Sequence, residues 1–191
     1  VIGLVSLIDE PREASKMVIA ELKNLGITKL AMLTGDNNRV AQSIGKDLGL
    51  TEIYGSLLPE DKLNIIDKLV SEYSEVAMIG DGTNDAPAMA HSSVGIAMGA
   101  AGSDVALETA DVALLSDKIE NLPFVVGLGR KSKQIIKQNL FISLGTIFFL
   151  IPSAIFGLTN MGLTVFIHEG STVLVVFNAL RLLKYKNKIK F

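Results

Sequence analysis

The sequence predicts an α/β domain with a parallel sheet, followed by a hairpin of two membrane-spanning helices. Short apolar runs alternate with helical patterns through residues 1–117, as is typical of a parallel sheet covered on both faces. Two long apolar stretches follow, each able to cross a bilayer. The formal charge changes sign between these parts: residues 1–117 carry 8 Lys/Arg and 18 Asp/Glu, whereas residues 118–191 carry 10 and 2. The net charge of −2 therefore conceals an acidic part of −10 and a basic part of +8.

Composition excludes several classes of protein. With 49% hydrophobic and 20% charged residues, the chain is too apolar for a disordered protein. The lack of cysteine excludes a disulfide scaffold and a cysteine-based zinc site. The charge balance argues against a nucleic-acid partner. Because the chain opens inside an apolar run, without an initiator methionine or a signal peptide, we expect a truncated or excised fragment.

The acidic part is predicted to contain six strands and three helices. The strands are short apolar runs at residues 1–8, 28–33, 53–54, 76–79, 94–98 and 112–115. The helices have apolar residues at helical spacing over residues 13–25, 38–48 and 59–70. Pro11 and Pro59 suit the first turns of two of these helices, and Gly26 suits the end of the first. In such sheets the chemistry lies at the carboxyl ends of the strands, where the polar clusters of this chain fall.

The strongest cluster is the string GDGTNDAP at residues 80–87, directly after a predicted strand. Asp81 and Asp85 offer two carboxylates on a tight turn. These suit Mg²⁺, because that ion takes one or two protein carboxylates together with phosphate and water. The side-chain amide of Asn84 can donate to a phosphate oxygen. A single Asp-Gly pair is more often an ordinary turn, but the whole string after a strand favours a magnesium and phosphate site.

Two further clusters suit a phosphoryl group. The string TGD offers the hydroxyl of Thr34, a backbone N–H at Gly35 and the carboxylate of Asp36 at a strand end, although a helix N-cap explains these residues equally well. The string LPEDK at residues 58–62 puts Lys62 one turn into a helix, where its amine can reach a phosphate. Taken alone, a surface lysine is the simpler explanation.

The three strings correspond to motifs two, three and four of the haloacid-dehalogenase-type phosphotransferases. With the following GIAMGAAGSDVALETADVALL, they resemble the phosphorylation domain of heavy-metal-transporting P-type ATPases. The resemblance implies a haloacid-dehalogenase-like Rossmannoid sheet, a magnesium-assisted aspartyl phosphate formed from ATP, and its later hydrolysis. It implies that Asp81 and Asp85 form the magnesium site. It implies catalytic roles for Thr34, Gly35, Asp36, Lys62, Asn84 and Asp85.

Other parts of the family pattern are weaker or missing. Asp9 and Arg12 match the family's hinge string beside the nucleotide-binding domain, although a strand end and a helix start explain them at least as well. The family's nucleophile, the Asp of an Asp-Lys-Thr-Gly-Thr string, is not in the sequence. We therefore expect the nucleophile and the nucleotide-binding domain, which binds most of the ATP, to lie upstream of Val1. The chain alone is then predicted to form no phosphoenzyme.

Two alternative functions remain open. One is a membrane-anchored phosphohydrolase of the haloacid-dehalogenase type that acts alone, but the sequence lacks the Asp-x-Asp pair that such an enzyme uses. The other is an inactive truncated protein that only binds metal. The truncated protein differs from an ATPase segment only in what lies upstream of Val1, whereas the phosphohydrolase would hydrolyse a phosphomonoester as the isolated chain.

The basic part is predicted to form a stalk helix at residues 118–138, membrane helices at 139–158 and 163–183, and a tail at 184–191. Twenty uncharged residues in the first membrane helix reach about 30 Å, the thickness of a hydrocarbon core. Lysines flank both open ends of the hairpin and none lies in its loop, so residues 1–138 and 184–191 are expected in the cytoplasm. The chain is therefore predicted to lie in the cell membrane, with the lipid bilayer as a partner. A buried hairpin of a soluble protein is the disfavoured alternative.

The second membrane helix contains the string HEGST at residues 168–172. His168, Glu169 and Thr172 share one helical face, because they are three and four residues apart. Ionisable groups at membrane depth are costly and indicate a transport pathway. Imidazole and carboxylate together suit Zn²⁺, Co²⁺, Fe²⁺ or Ni²⁺. The alternative is a structural pair near the outer interface.

HEGST also resembles the HEGGT-type signature of one heavy-metal ATPase subgroup, which is associated with cobalt, ferrous iron and zinc. That subgroup also uses a Ser-Pro-Cys string on an earlier helix, which this sequence lacks. The copper-type Met and Ser pattern and the Asp-x-Gly pattern of the zinc, cadmium and lead group are not seen. The resemblance implies the C-terminal part of an ATP-driven exporter of divalent transition metals, which works with upstream domains of the same polypeptide.

Overall fold

A computed structural model describes residues 13–81, 84–99, 108–116 and 118–186. The predicted strand at residues 1–8 and the hinge candidates Asp9 and Arg12 lie outside these residues. The chain divides into two compact units, with the boundary after Pro123. Each unit is described by itself.

The described part of the first unit contains four helices and five short strands. In chain order they are α1 (Glu13–Asn24), β1 (Ala31–Leu33), α2 (Asn38–Leu48), β2 (Glu52–Tyr54), α3 (Pro59–Tyr73), β3 (Ala77–Gly80), α4 (Ala86–His91), β4 (Val94–Met98) and β5 (Val112–Leu114). A short 3₁₀ helix, Ile119–Asn121, follows. Helix α2 and strand β4 have the predicted bounds. Strand β1 is shorter than predicted, and helix α3 is longer. Helix α4 was not predicted, because six residues are too few to show a helical period.

All strand pairs in the described residues are parallel, as the alternation of strands and helices predicted. β1 pairs with β2, with Met32 opposite Ile53. β3 pairs with β4, and β4 pairs with β5 on its other side. Within the described residues, β1 and β2 form one sheet, and β3, β4 and β5 form another. The carboxyl ends of parallel strands lie on one side of their sheet, so the TGD string follows that end of the first sheet and the GDGTNDAP string follows that end of the second.

The main core lies where α3 and α4 cover β3. Its buried members are Ile66, Leu69, Met78, Ala88 and Met89. Leu33 of β1 packs against this cluster from the neighbouring strand. Burial of each large side chain contributes about 1.5–3 kcal/mol. The core therefore fixes the positions of α3, α4 and the ends of β1 and β3 relative to one another.

The described part of the second unit consists of two long helices and a short 3₁₀ helix. They are α5 (Leu122–Ile155), α6 (Met161–Leu180) and the 3₁₀ helix Arg181–Lys184. The predicted stalk and first membrane helix are thus one continuous helix that begins at Leu122. Pro152 lies inside α5, and the next turn closes through a hydrogen bond from the Phe156 N–H to its carbonyl at 2.9 Å.

Both long helices are apolar enough to cross a membrane. Their surfaces are mostly uncovered within this chain: Phe141 and Phe148 are each 81% exposed, and Met161 is 84% exposed. Exposed aromatic and aliphatic side chains at this density are costly in water, whereas hydrocarbon or further helices accommodate them. Gly157, at φ 70°, lies just after the end of α5. Asn160 caps α6 by accepting a hydrogen bond from the Leu163 N–H at 2.8 Å.

Candidate functional site

The TGD string forms a tight turn at the carboxyl end of β1. The hydroxyl of Thr34 donates to a carboxylate oxygen of Asp36 at 2.9 Å and accepts from the Asp36 N–H at 3.1 Å. Neither residue caps α2, because the side chain of Asn37 accepts the hydrogen bond from the Arg39 N–H at 2.9 Å. The hydroxyl of Thr34 is therefore held at the strand end by the turn and is not used as a helix cap.

This turn is joined to the segment that leads into α3. The Leu57 N–H donates to the carbonyl of Thr34 at 3.1 Å, and the Ser56 N–H donates to the carbonyl of Asp36 at 2.6 Å. A Cβ at Gly35 would lie 3.4 Å from the Leu57 carbonyl oxygen, which is an ordinary van der Waals contact between the turn and this segment. The start of α3 is thus tied directly to the TGD turn.

Lys62 and Asp85 form an ion pair between the first turn of α3 and the loop after the carboxyl end of β3. Lys62 Nζ lies 2.7 Å from Asp85 Oδ1, and each side chain is only 17% exposed. Lys62 is therefore not a surface lysine. The pair joins α3 to the turn after β3, although the two residues are 23 positions apart in sequence.

Gly80, the last residue of β3, makes room for Asp85. A Cβ at this position would lie 2.7 Å from Asp85 Oδ2 and 2.8 Å from Asp85 Cβ, which is closer than real Cβ contacts. The carbonyl of Asp85 accepts a hydrogen bond from the Met89 N–H at 2.8 Å, which starts α4. The glycine of the GDG string is therefore required by the close approach of the carboxylate.

Asp81 and Asn84 are exposed beside this pair. Among the described residues there is no group of three or more His, Cys, Asp or Glu side chains that could enclose a metal ion. Two carboxylates with room for phosphate and water fit Mg²⁺, because this ion keeps much of its shell from non-protein oxygens. Asp81 and Asp85 are thus a donor set of the correct hardness and number for that ion.

The groups with shifted pKa values gather around Glu52, the first residue of β2. A hydrogen bond from the Tyr54 hydroxyl, at 2.8 Å, lowers the pKa of the Glu52 carboxyl, and Glu52 in turn raises the pKa of Tyr54. Tyr73 and Glu52 raise the pKa of Lys29. Tyr54 is the last residue of β2, and its carbonyl accepts a hydrogen bond from the Thr34 N–H at 3.0 Å, so the cluster adjoins the TGD turn through the backbone. Its side chains hydrogen-bond to one another, which indicates a structural role.

A second site candidate is a cavity of about 290 Å³ between α5 and α6. His168 and Glu169 both line it. The residues that complete the wall are Ile147, Leu150, Ile151, Thr164 and Val165. Two ionisable side chains thus lie in a cavity whose wall is otherwise mostly apolar.

Thr172, the third predicted metal ligand, is not among the residues that line this cavity. Its hydroxyl lies 3.3 Å from the carbonyl oxygen of His168, to which it donates. Thr164 lines the cavity in its place and was not singled out from the sequence. The signal was available, because Thr164 precedes His168 by four residues and so shares its helical face.

Comparisons with known proteins agree with this geometry. Residues 1–92 match the family model of haloacid dehalogenase-like hydrolases. The chain is 47% identical over 188 residues to a cadmium-transporting ATPase of Staphylococcus aureus, covering 98% of this chain and 26% of that protein. It is 47% identical over 182 residues to a zinc-transporting ATPase of Bacillus subtilis (strain 168), covering 95% of this chain and 28% of that protein.

A solved structure is similar to the chain over most of its length. It is a zinc-transporting PIB-type ATPase in its E2.Pi state, with 44% sequence identity and a TM-score of 0.83. The match covers 92% of this chain and 28% of that chain, so the chain spans about a quarter of the length of the relatives it matches. A haloacid-dehalogenase-like parallel sheet followed by two long apolar helices, with this similarity across nearly all residues, has one explanation: the chain belongs to the heavy-metal-transporting P-type ATPases.

Proposed function

We propose that this chain is the C-terminal part of an ATP-driven exporter of divalent transition metals. In this account residues 1–117 supply the magnesium and phosphate site, and α5 and α6 supply part of the metal pathway. The observation that carries the proposal is that one chain contains both the partly buried Lys62–Asp85 pair at the carboxyl end of β3 and the His168–Glu169 cavity between apolar helices.

In the cytoplasmic site, each candidate side chain has a separate task. The backbone N–H of Gly35 donates to the phosphoryl oxygens, and the hydroxyl of Thr34 does so by turning away from the Asp36 carboxylate to which it donates in the structure. The Asp36 N–H, which donates to that hydroxyl, keeps it in place. Lys62 offers its ammonium group, and Asn84 orients the phosphate through its amide. When bound at Asp81 and Asp85, magnesium offsets the negative charge of the phosphoryl group.

The nucleophile is proposed to come from another segment of the same polypeptide. Among the described strands, β1 pairs only with β2, and β3 pairs only with β4. Leu33 of β1 nevertheless packs on the cluster that contains Met78 of β3. A parallel strand between β1 and β3 would end beside Thr34 and Asp81, where an aspartate could attack the γ-phosphate of ATP.

The membrane part is proposed to span the bilayer of the cell membrane, with residues 1–138 and 184–191 in the cytoplasm. The length and exposure of α5 and α6 support this, as do the lysines at the open ends of the hairpin. The remaining ligands and the upstream cytoplasmic domains would come from the rest of the polypeptide. The lipid bilayer and those domains are its expected partners.

The cargo is proposed to be a borderline divalent ion: Zn²⁺, Co²⁺, Fe²⁺ or Ni²⁺. Imidazole nitrogen and carboxylate oxygen suit these ions better than the softer Cd²⁺, which prefers thiolate. One similar protein from Bacillus subtilis is named a cadmium, zinc and cobalt-transporting ATPase. Zinc and cobalt are therefore the first ions to test, with cadmium as the competitor.

The test is metal-stimulated ATP hydrolysis by the full-length transporter. We expect His168→Ala and Glu169→Ala each to abolish stimulation by Zn²⁺ and Co²⁺, because each removes a ligand from a site where no water readily replaces it. His91→Ala is the matched control, since His91 is the chain's other histidine and pairs with Asp67 at the protein surface. Stimulation equal to the unmodified protein in both cavity variants would rule out this metal site.

A further inference from the structure

A polar cluster joins α5 and α6 at the end of the hairpin opposite its loop. The side-chain amide of Asn178 donates to Gln138 Oε1 at 3.2 Å and to Asn139 Oδ1 at 2.8 Å. Arg181 Nη1 donates to Asn178 Oδ1 at 2.7 Å and to Gln138 Oε1 at 3.3 Å. These acceptors are neutral, so they orient the guanidinium without offsetting its charge.

A cavity of about 560 Å³ opens beside this cluster. Arg181 and Lys137 supply two cations to its wall, and Phe141 supplies an aromatic face one turn closer to the middle of the hairpin. The other lining residues are Gln134, Gln138, Ile142 and Asn178. The wall is therefore cationic and amide-rich at one end and apolar at the other.

No acidic side chain of the hairpin can neutralise these cations. Between residues 122 and 186 the sequence has seven Lys/Arg and a single carboxylate, Glu169. Glu169 precedes Arg181 by twelve residues, which places it about 18 Å away along the helix. Within the described residues, the hydrogen bonds of the Arg181 guanidinium use Nη1, which leaves further N–H donors for another acceptor.

The depth of the cavity selects the kind of anion. Lys137 comes directly before the uncharged stretch of α5, and Arg181 directly follows the apolar residues of α6. Both cations therefore lie at the boundary between the apolar helices and the lysine-rich ends. In a bilayer this is the level of the phosphate groups, and basic pockets between helices on the cytoplasmic side bind anionic head groups.

We propose that this cavity binds the phosphate head group of an anionic phospholipid of the cytoplasmic leaflet. Arg181 and Lys137 contact the phosphate, the amide cluster holds the guanidinium in position, and one acyl chain lies along Phe141. The inference rests on the proposed function only in that α5 and α6 must span the bilayer. A lipid head group and free phosphate would both present a phosphate oxyanion to this cavity. A lipid is favoured, because the cationic end of the cavity wall continues into an apolar surface.

The test is native mass spectrometry of the detergent-solubilised full-length transporter titrated with phosphatidylglycerol, with phosphatidylcholine as the neutral comparison. Lys137→Gln with Arg181→Gln should raise the phosphatidylglycerol concentration for half-saturation about 25-fold, or about fivefold for each cation. The matched control is Lys133→Gln with Lys184→Gln, which removes the same charge from residues outside the cavity wall. This control should change the half-saturating phosphatidylglycerol concentration by less than about twofold. Lys137→Gln alone should give about a fivefold change and leaves the amide cluster intact.

Several results would overturn the proposal. One is an equal loss of phosphatidylglycerol binding in the cavity double variant and the control double variant. The others are retention of phosphatidylcholine equal to that of phosphatidylglycerol, and displacement of phosphatidylglycerol by millimolar inorganic phosphate. Failure of the unmodified transporter to retain phosphatidylglycerol would show that another segment of the polypeptide covers the cavity. Metal-stimulated ATP hydrolysis is measured on the same sample of unmodified transporter, in which intact stimulation without retention of phosphatidylglycerol contradicts this inference alone. Loss of stimulation with intact lipid binding contradicts the proposed function alone.

Discussion

At the scale of single residues, the informative comparison is between two ion pairs of equal length. Lys62 and Asp85 are 2.7 Å apart with side chains 17% exposed, whereas Lys16 and Asp47 are 2.7 Å apart with side chains 53% and 56% exposed. Exposed pairs contribute little, because water and salt screen them. Removing one partner of a buried pair leaves a charge that water solvates poorly.

We expect Lys62→Met to lower the free energy of opening α3 and α4 by about 1–3 kcal/mol, because Asp85 then loses its partner. Lys16→Met should lower the corresponding value for α1 and α2 by less than about 1 kcal/mol. Hydrogen–deuterium exchange of the full-length protein measures both. Equal effects of the two substitutions would mean that burial does not strengthen the Lys62–Asp85 pair. The double variant Lys62→Met with Asp85→Asn should lose less than Lys62→Met alone, since no carboxylate is left without a partner.

The candidate site residues could be predicted from the sequence where they fall together in one short string. The carboxylates of GDGTNDAP and the turn of TGD follow strand ends, and strand ends could be read from apolar runs. The contact between Lys62 and Asp85 could not be read in that way, because it depends on how α3 and α4 pack on β3. The position of Thr164 in the α5–α6 cavity could be predicted only in part. Its spacing from His168 puts it on the same helical face, but which residues of that face reach the cavity depends on the rotation of α6 against α5.

At the scale of elements, local capping explains which boundaries were predictable. Helix α2 matches its predicted bounds because Asn37 caps its start and Gly49, in the left-handed region at φ 74°, ends it. The predicted stalk and membrane helix appear as one helix because no residue between them breaks hydrogen bonding. Each strand is short because it extends only as far as it pairs with a neighbouring strand. Apolar content alone does not show where that pairing ends.

The cap of α6 gives a prediction at this scale. Asn160→Ala should lower the local stability of the first turn of α6 by about 1 kcal/mol, because the Leu163 N–H loses its acceptor. In the full-length protein this appears as about fivefold faster hydrogen exchange at Leu163. Asn160→Asp should retain most of the protection, and Asn37→Ala should leave Leu163 unaffected. An unchanged Leu163 exchange rate in Asn160→Ala would show that the cap is not needed.

At the scale of the whole molecule, the change of charge along the sequence corresponds to two structural units. The acidic residues belong to a domain in which carboxylates and one partly buried lysine lie at the carboxyl ends of strands, which suits magnesium and phosphate. The basic residues flank two apolar helices and leave two cations at a cavity without an acidic partner. The class of each unit was predictable from composition and periodicity. The cavities between α5 and α6 were not, because they depend on the packing of one helix against the other.

The central claim is that this chain holds a phosphoryl site whose nucleophile belongs to another part of the polypeptide. The direct measurement is incubation with γ-³²P-labelled ATP and Mg²⁺, for the 191-residue chain and for the full-length transporter. The account predicts an acid-stable, hydroxylamine-sensitive label on the full-length protein and no label on the chain alone. A hydroxylamine-sensitive label on the chain alone, or a full-length protein that is never labelled, would contradict the account.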